Sequence, residues 1–330
     1  MNPAGNATSD TALGPAPNPT SGGGTGQGEE APEGDYRCGY VALVGRPNVG
    51  KSTLLNRILG QKVSIVTAKP QTTRQRVAGI KTTDRGQVIY IDTPGMHLAA
   101  RRALNRYMNR IARASFQDVD LILFLVEAGR WTQQDEHVAE AIAAAGTPVV
   151  LVVNKIDLVA DKSKLLHFVS AKAGAERFQA VLMVSAQSGD GIGDLEETVR
   201  TFLPFSRPFF DEDQFTDRSE RFLAAELIRE QLMLRLHQEL PYALTVQIEE
   251  FKREGGLLRI GAIIWVERAG QKQIVIGKGG DVLKQVGTRA RHELEELFGE
   301  KVFVRLWVKV SRDWSDNERA LRQLGFDEID

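Results

Sequence analysis

The stretch VALVGRPNVGKSTLLN, residues 41–56, decides the fold. An apolar run ends at Gly45, and Gly45, Gly50, Lys51 and Ser52 then complete G-x-x-x-x-G-K-[ST] where a helical pattern opens. The pattern needs that strand–loop–helix context. Its glycines let backbone N–H groups turn inward on phosphates, and the helix N-terminus adds positive potential. The cradle is Gly45, Arg46, Pro47, Asn48, Val49, Gly50, Lys51, Ser52 and Thr53. Lys51 can reach the β- and γ-phosphates, and the Ser52 hydroxyl can ligate Mg²⁺.

Working outward, further apolar runs occur at 88–92 (VIYID), 121–127 (LILFLVE), 148–154 (PVVLVVN) and 180–185 (AVLMVS), separated by helix-length segments. Runs apolar on both faces are what a parallel sheet covered by helices on either side requires. The expectation is an α/β doubly wound P-loop domain over 37–206.

Three companions of the loop follow such strands. Asp92, Thr93, Pro94 and Gly95 suit a carboxylate that holds Mg²⁺ through water and a glycine amide that senses the γ-phosphate. In Asn154, Lys155, Ile156, Asp157, the carboxylate can accept from both N1–H and the 2-amino group of guanine. Adenine lacks both donors, so the mismatch leaves a buried charge unpaired. Asn154 can meet the far edge of the base, and the Lys155 stem can lie along its face. Ser185, Ala186 and Gln187 can offer the Ala186 amide to guanine O6. Four pieces in this order predict a GTPase, with Lys51, Asp92, Gly95 and a switch threonine as its catalytic parts. KPQTTRQRV at 69–77 supplies that threonine, with Thr72 and Thr73 both candidates for Mg²⁺ and Thr73 favoured.

Ras-like enzymes often place a water-orienting glutamine just after D-x-x-G. Met96 stands there instead, and it cannot orient water by hydrogen bonding; His97, which follows, reads as a bystander. Asn48 lies inside the phosphate loop, where its amide oxygen could help hold a monovalent cation, supplying some of the charge an arginine finger supplies elsewhere. The expectation is slow hydrolysis, stimulated by K⁺ over Na⁺. Downstream, Arg101, Arg102, Arg106, Arg110 and Arg113 occur with no acidic residue through 97–116. They form either a solvated helix face or a switch-region surface that touches RNA or the second domain.

Residues 207–219 read as an acidic linker, 220–312 as a second and smaller domain, and 313–330 as a tail. Within the second domain, 220–240 is helical, 242–251 and 257–268 are strands, 281–298 is a helix and 302–310 alternates as a third strand. This is α+β with an antiparallel or mixed sheet. Gly277, Lys278, Gly279 and Gly280 lack the loop length and the hydroxyl that a nucleotide site needs. Their context is the order helix, strand, strand, short helix, G-x-x-G, helix, strand, which is that of a type II KH domain clamping about four nucleotides. Across 268–291 six positive charges, including Lys272, Lys278, Lys284 and Arg289, face Asp281 alone. The stripe is local, since 206–330 holds 20 basic and 23 acidic residues. Ile276 belongs to the apolar face that would support unstacked bases.

The bulk numbers agree. A chain of 330 residues accommodates two domains. A net charge of −1 excludes a uniformly basic coat, so any nucleic-acid contact must be a patch. Cys38 is the only cysteine, so no intrachain disulfide forms and a reducing compartment is expected. No apolar run reaches about 18 residues, the length of a spanning helix. The first 36 residues carry eight glycines, five prolines and no Lys or Arg, which reads as a disordered extension rather than a targeting segment.

GRPNVGKSTLLN, QTTRQR, DTPGMH, NKID and SAQ, followed by FTDRSERF (215–222), ELPYALTV (239–246), VIGKGG, LWVKV and DWSDNERALRQLGF (313–326), closely resemble the bacterial Era-type GTPases over 37–326. The resemblance implies a GTP/GDP switch with Mg²⁺ that binds 16S ribosomal RNA near its 3′ end and assists small-subunit maturation, with RNA stimulating hydrolysis. It also implies a cytoplasmic protein, with peripheral inner-membrane association; the family likewise lacks the catalytic glutamine. The long N-terminal extension departs from the family's usual short start.

Overall fold

In the computed structural model, residues 35–96, 102–172, 177–237 and 240–326 are described. His97, Arg101 and all but the last two residues of the expected 1–36 extension lie outside them.

The first domain runs β1 (Arg37–Val44), α1 (Lys51–Leu59), β2 (Val77–Thr83), β3 (Gly86–Asp92), α2 (Ala103–Ala114), β4 (Leu121–Glu127), α3 (Gln133–Ala143), β5 (Val149–Asn154), α4 (Lys162–Lys172), β6 (Ala180–Met183) and α5 (Ile192–Phe202). Its sheet has the order β2-β3-β1-β4-β5-β6, all parallel except β2. The apolar strands do what their composition demands. Val41, Leu43, Leu123 and Val152 enter one core with α1 and α5, while Ala42, Val44, Phe124 and Val153 enter the opposite one with α3. β1 lies between β3 and β4, so chain connections leave it in opposite directions. The phosphate loop therefore opens at the topological switch point, outside the strands' carboxyl ends.

β2 has no counterpart in the sequence reading. VAGIKTT carries a glycine and a polar end, so it lacks a strand's apolar run. It is held as the outer arm of a hairpin with β3. The linker segment then docks along its free edge. Ile80 N–H donates to the Phe215 carbonyl at 2.9 Å, Ala78 N–H to the Asp217 carboxylate at 3.1 Å, and Thr216 Oγ1 to the Ala78 carbonyl at 2.7 Å.

The second domain comprises α6 (Glu220–Arg235), β7 (Leu244–Glu254), β8 (Leu257–Val266), α7 (Ala269–Ile276), α8 (Asp281–Phe298) and β9 (Lys301–Val310), followed by α9 (Glu318–Gln323). The sheet is mixed: β7 pairs antiparallel with β8, and β8 parallel with β9. Leu258, Ile260, Ala262, Ile264 and Val266 alternate onto the face that α6 and α8 cover. The expected helix 220–240 stops at Arg235. Leu236 is already extended, at φ −87° and ψ 153°, and the carbonyls of Met233 and Leu236 accept from Lys69 of the first domain. A tertiary contact thus ends the helix five residues before its apolar pattern does.

The C-terminal segment folds back on α2. Trp314, Leu321 and Phe326 pack on Ala103, Leu104, Tyr107, Met108 and Ile111, and Trp314 is fully buried. Trp314 Nε1 donates to the Ala243 carbonyl at 3.1 Å, and Asp316 caps α2 by accepting from Ala103 N–H at 2.8 Å. The apolar face of α2 is therefore covered by the C-terminal tail, and, of the arginines the sequence singles out, Arg102 reaches Ser315 at 3.3 Å and Glu267 of the second domain at 3.8 Å. Among the described residues no helix is long and apolar enough to cross a membrane.

Candidate functional site

Gly50 closes the phosphate loop at φ 102°, and a Cβ there would lie 2.3 Å from Asn154 Nδ2. Only glycine fits both the left-handed backbone and that approach. Asn154 is buried and acts as a brace. Its amide donates to the Val49 carbonyl at 2.8 Å, and its oxygen accepts from Ala186 N–H at 3.0 Å. This changes two expectations. The Ala186 amide is held by Asn154 rather than turned outward to a base, and Asn154 retains only one amide hydrogen for the base edge. Asp157 is exposed and accepts from Ser185 Oγ at 2.6 Å, leaving its outer oxygen open.

The Lys51 ammonium is buried and donates to the Gly45 and Arg46 carbonyls at 3.0 and 3.1 Å. Burial brings it down to about 8, against the raising influence of Asp92. Phosphate oxygens replacing those carbonyls would raise it again.

Asp92 gathers the hydroxyls. Ser52 Oγ donates to its Oδ2 at 2.6 Å, Ser64 Oγ at 2.7 Å and Thr73 Oγ1 at 3.3 Å, while Ser52 and Thr73 lie 2.9 Å apart. Burial pushes the Asp92 carboxyl up, opposed by Lys51 and the three hydroxyls. Its Oδ1 is buried with no hydrogen-bond partner among the described residues. An orphaned carboxylate oxygen beside converging hydroxyl oxygens is the hard, all-oxygen donor set that Mg²⁺ takes. The structure separates the two threonines. Thr73 joins this cluster, whereas Thr72 bonds Thr67 Oγ1 at 2.7 Å and the Lys69 carbonyl at 2.6 Å.

Around the γ-phosphate position, a Cβ on Gly95 would lie 2.7 Å from Pro47 N, so the glycine allows close approach of the two loops. Met96 is buried in the core with Phe124 and Val126 and offers nothing to a water. Asn48, at φ 64°, donates its amide to the Ala68 carbonyl at 2.9 Å, which ties the phosphate loop to the switch segment. Arg46 pairs with Asp135 at 3.1 Å and Glu127 at 2.6 Å, and Glu127 lies 3.7 Å from Lys155. Opposite charges thus link the phosphate loop to the base-reading loop.

The switch segment is also held from the second domain, by residues the sequence reading missed. Arg229 of α6 donates to the Thr72 carbonyl, next to Thr73, and Lys69 to the Met233 and Leu236 carbonyls. Glu230 accepts from Val66 N–H at 2.8 Å and pairs with Lys62, which also pairs with Glu293 at 2.6 Å. Burial raises the Glu230 carboxyl against the lowering effect of Lys62. Arg74, fully buried, donates to the carbonyls of Leu244, Pro241 and Tyr242 at 2.7, 3.1 and 3.2 Å. Most of these partners are backbone carbonyls or amides, which every residue has, so the sequence carries no mark of them.

At the other loop, Gly277, Gly279 and Gly280 all have positive φ. A Cβ on Gly277 would lie 2.2 Å from Asp281 Oδ1. Lys278, Lys284 and Arg289 are exposed and Lys272 is half-buried; Ile274 is exposed beside them and Ile276 packs on the core. The loop between α7 and α8 therefore presents cations and an apolar side chain together beside glycines that allow close approach, a set that suits a single-stranded backbone.

Residues 40–155 match the family model of the 50S ribosome-binding GTPases, and 239–315 that of the KH domain. GTPase Era of Stenotrophomonas maltophilia (strain R551-3) is 53% identical over 292 residues, 88% of this chain and 98% of the relative. GTPase Era of Coxiella burnetii (strain Dugway 5J108-111) is 52% identical over 291 residues, with the same two coverages. Among solved structures, a variant of Era from Aquifex aeolicus bound to GDP·AlF4⁻ superposes with a TM-score of 0.86 at 39% identity, covering 88% of this chain and all of that one. Era in complex with MgGDPNP and nucleotides 1506–1542 of 16S ribosomal RNA gives 0.86 at 38%, covering 89% of this chain and all of that one.

Proposed function

The chain belongs to the GTPase Era family, and from that membership we propose that this GTPase is a nucleotide-driven switch on ribosomal RNA. In this reading it binds 16S rRNA near its 3′ end through the groove at Gly277–Gly280 and assists maturation of the small ribosomal subunit in the cytoplasm. The complex of a relative with MgGDPNP and 16S nucleotides 1506–1542 supports the choice of RNA. The observation that carries the switch is the bond from Arg229 to the Thr72 carbonyl, because it joins the RNA-binding domain to the residue before Thr73.

Each residue then has a role. Asp157 reads the guanine donors, Asn154 fixes the base-reading loop on the phosphate loop, and Lys51 leaves its two carbonyls for the phosphates. Ser52, Thr73 and Asp92 would hold Mg²⁺, which when bound neutralises charge developing on the β- and γ-phosphates. Gly95 gives the γ-phosphate room beside Pro47. With Met96 in the core, rate acceleration falls to charge, and we assign Asn48 and the switch backbone it touches to a K⁺ ion. Thr73 already lies beside Ser52 and Asp92, where a bound γ-phosphate and Mg²⁺ would hold it, and α6 through Arg229 and Lys69 would pass that ordering of the switch to the RNA groove. Binding energies are reciprocal, so RNA in turn favours the closed switch.

The test is a titration of the protein with a labelled single strand from the 3′ end of 16S RNA and with a scrambled strand, each with GDP and with a non-hydrolysable GTP analogue. Salt is held constant, because phosphate contacts make affinity salt-dependent. Tighter binding of the true strand with the analogue, and faster turnover in K⁺ than in Na⁺, are expected. Equal affinity in all four conditions overturns the switch; equal rates in the two salts overturn the K⁺ assignment alone.

A further inference from the structure

With Met96 in the core, no residue named so far aims the water that attacks the γ-phosphate. Charge lowers the barrier, but it does not set the direction of attack. Five described residues other than glycine have positive φ: Asn48, Gln71, Asp118, Lys155 and Asp313. Asn48 and Lys155 belong to the phosphate and base-reading loops, and Asp118 and Asp313 are short polar residues of the kind that tolerates this region. Gln71, at φ 60°, falls in neither class.

Its turn is legible in the sequence, but its side chain is not what the turn asks for. Residues Lys69, Pro70, Gln71 and Thr72 are closed by Thr72 Oγ1 on the Lys69 carbonyl at 2.6 Å. Proline in second place followed by positive φ in third is the order of a type II turn, whose third place suits glycine because a Cβ there is strained. A glutamine brings the backbone nothing. Strain of this kind persists where the surroundings over-determine the segment, and it clusters at functional sites. Both flanks of Gln71 are held. Lys69 N–H donates to Thr67 Oγ1 at 3.1 Å, the Lys69 ammonium reaches the Met233 and Leu236 carbonyls, and Arg229 reaches the Thr72 carbonyl. The turn cannot relax, so it carries the side chain to a fixed place.

That place is the phosphate cavity, which Gln71 lines together with Lys51, Ser52, Thr73 and Gly95. The residue is half-buried, two positions before Thr73. Its Nε2 donates to Asn105 Oδ1 of α2 at 3.3 Å, and its Oε1 has no partner among the described residues. One end of the amide is anchored, which leaves the acceptor at the other.

We propose that Gln71 orients the attacking water, the part that a glutamine just after D-x-x-G takes in Ras-like enzymes. The proposal rests on the placement of the phosphates at Lys51 and Thr73 given above. In the step, the water oxygen bonds to the γ-phosphorus, the bond from that phosphorus to the β–γ bridging oxygen breaks, and its electron pair leaves with GDP. One proton of the water passes to a γ-phosphate oxygen. Gln71 Oε1 accepts a hydrogen bond from the water and takes no proton, so it acts by aim alone.

The test is GTP hydrolysis by the full chain at saturating nucleotide, in K⁺ and Mg²⁺, with GDP affinity measured beside it. Gln71→Gly removes the side chain and the strain together. Its kcat should fall at least tenfold, with KM and GDP affinity within twofold of the parent, and its unfolding midpoint should not fall. Gln71→Asn keeps an amide and suits positive φ but is one methylene short, so it should not restore kcat. Asn105→Ala, which frees the amide, should lower kcat severalfold with KM unchanged. GDP with fluoroaluminate, which takes the place of the transferring phosphoryl group, should bind Gln71→Gly at least tenfold more weakly than it binds the parent. A merely structural role would weaken GDP alone to the same degree. Parent-like kcat in both Gln71 variants overturns the proposal, as does a loss of kcat matched by an equal loss of GDP affinity. Lys51→Ala tests the premise and should lose nucleotide binding. If it turns over GTP like the parent, the placement of the phosphates fails and the role of Gln71 fails with it; if only the Gln71 variants are parent-like, the site stands without this residue.

Discussion

Asp157 is the residue on which nucleotide choice turns, since it is exposed and keeps one oxygen open beyond its bond from Ser185. Asp157→Asn presents a donor where guanine also donates. It should lower GTP affinity by about 10²-fold or more and favour the xanthine nucleotide, whose 2-oxygen accepts, as competition binding with the two triphosphates would measure. Cys38 makes a different test of the same domain. Burial pushes its thiol up to about 11, helped by Asp120 and opposed by the Phe209 amide. A raised value means that the thiol's contribution to stability is complete below the unfolded value, near 9, and disappears as pH climbs through 11. At pH 8 a thiol reagent should therefore label this cysteine only after denaturant is added; stoichiometric labelling of the native protein would contradict the burial. Motif residues were legible in the sequence because each works with its immediate chain neighbours. Ser64, which bonds Asp92 across 28 residues, was not, since nothing near it forms a pattern.

At the level of elements, periodicity worked wherever one element meets one core. The strands β1, β3, β4 and β5 were readable as unbroken apolar runs, and α8 from its spaced Val286, Ala290 and Leu294. It failed at β2, whose place depends on β3 and on the docked linker, and at the end of α6, which a lysine from the other domain terminates. The C-terminal segment is the element whose energetics are easiest to test. Trp314→Ala removes a fully buried ring that touches Phe326 and accepts a cation contact from Arg74 at 5.9 Å. Truncations of this kind cost about 3–5 kcal/mol, so chemical denaturation should show a loss of that order, with α2 left uncovered. A loss under about 1 kcal/mol would mean that the tail contributes little to holding α2.

For the whole molecule the issue is how two cores act together. Most hydrogen bonds and ion pairs between the domains join the segment 62–74 to α6, to residues 241–244 and to Glu293 of α8, with Arg102–Glu267 a further pair. Such coupling is distributed, so one bond should modulate it rather than abolish the fold. Arg229→Gln keeps a donor but loses the charge and reach toward Thr72. Basal GTP hydrolysis should stay within a few-fold of the parent, while stimulation by the 16S strand should fall by about tenfold, the scale of 1–3 kcal/mol typical of linkage between sites. Full stimulation in the variant would place the coupling elsewhere, with the tail on α2 the next contact to examine.

That tail has a bearing on biosynthesis. Leu104, Tyr107, Met108 and Ile111 are translated about 200 residues before Trp314, Leu321 and Phe326, which cover them. While the polypeptide is still emerging, the nucleotide-binding half can assemble its sheet, yet the helix after its DTPG turn has no lid. The finished packing of that helix therefore waits until residues 314–326 have been made, long after the sheet beneath it can form.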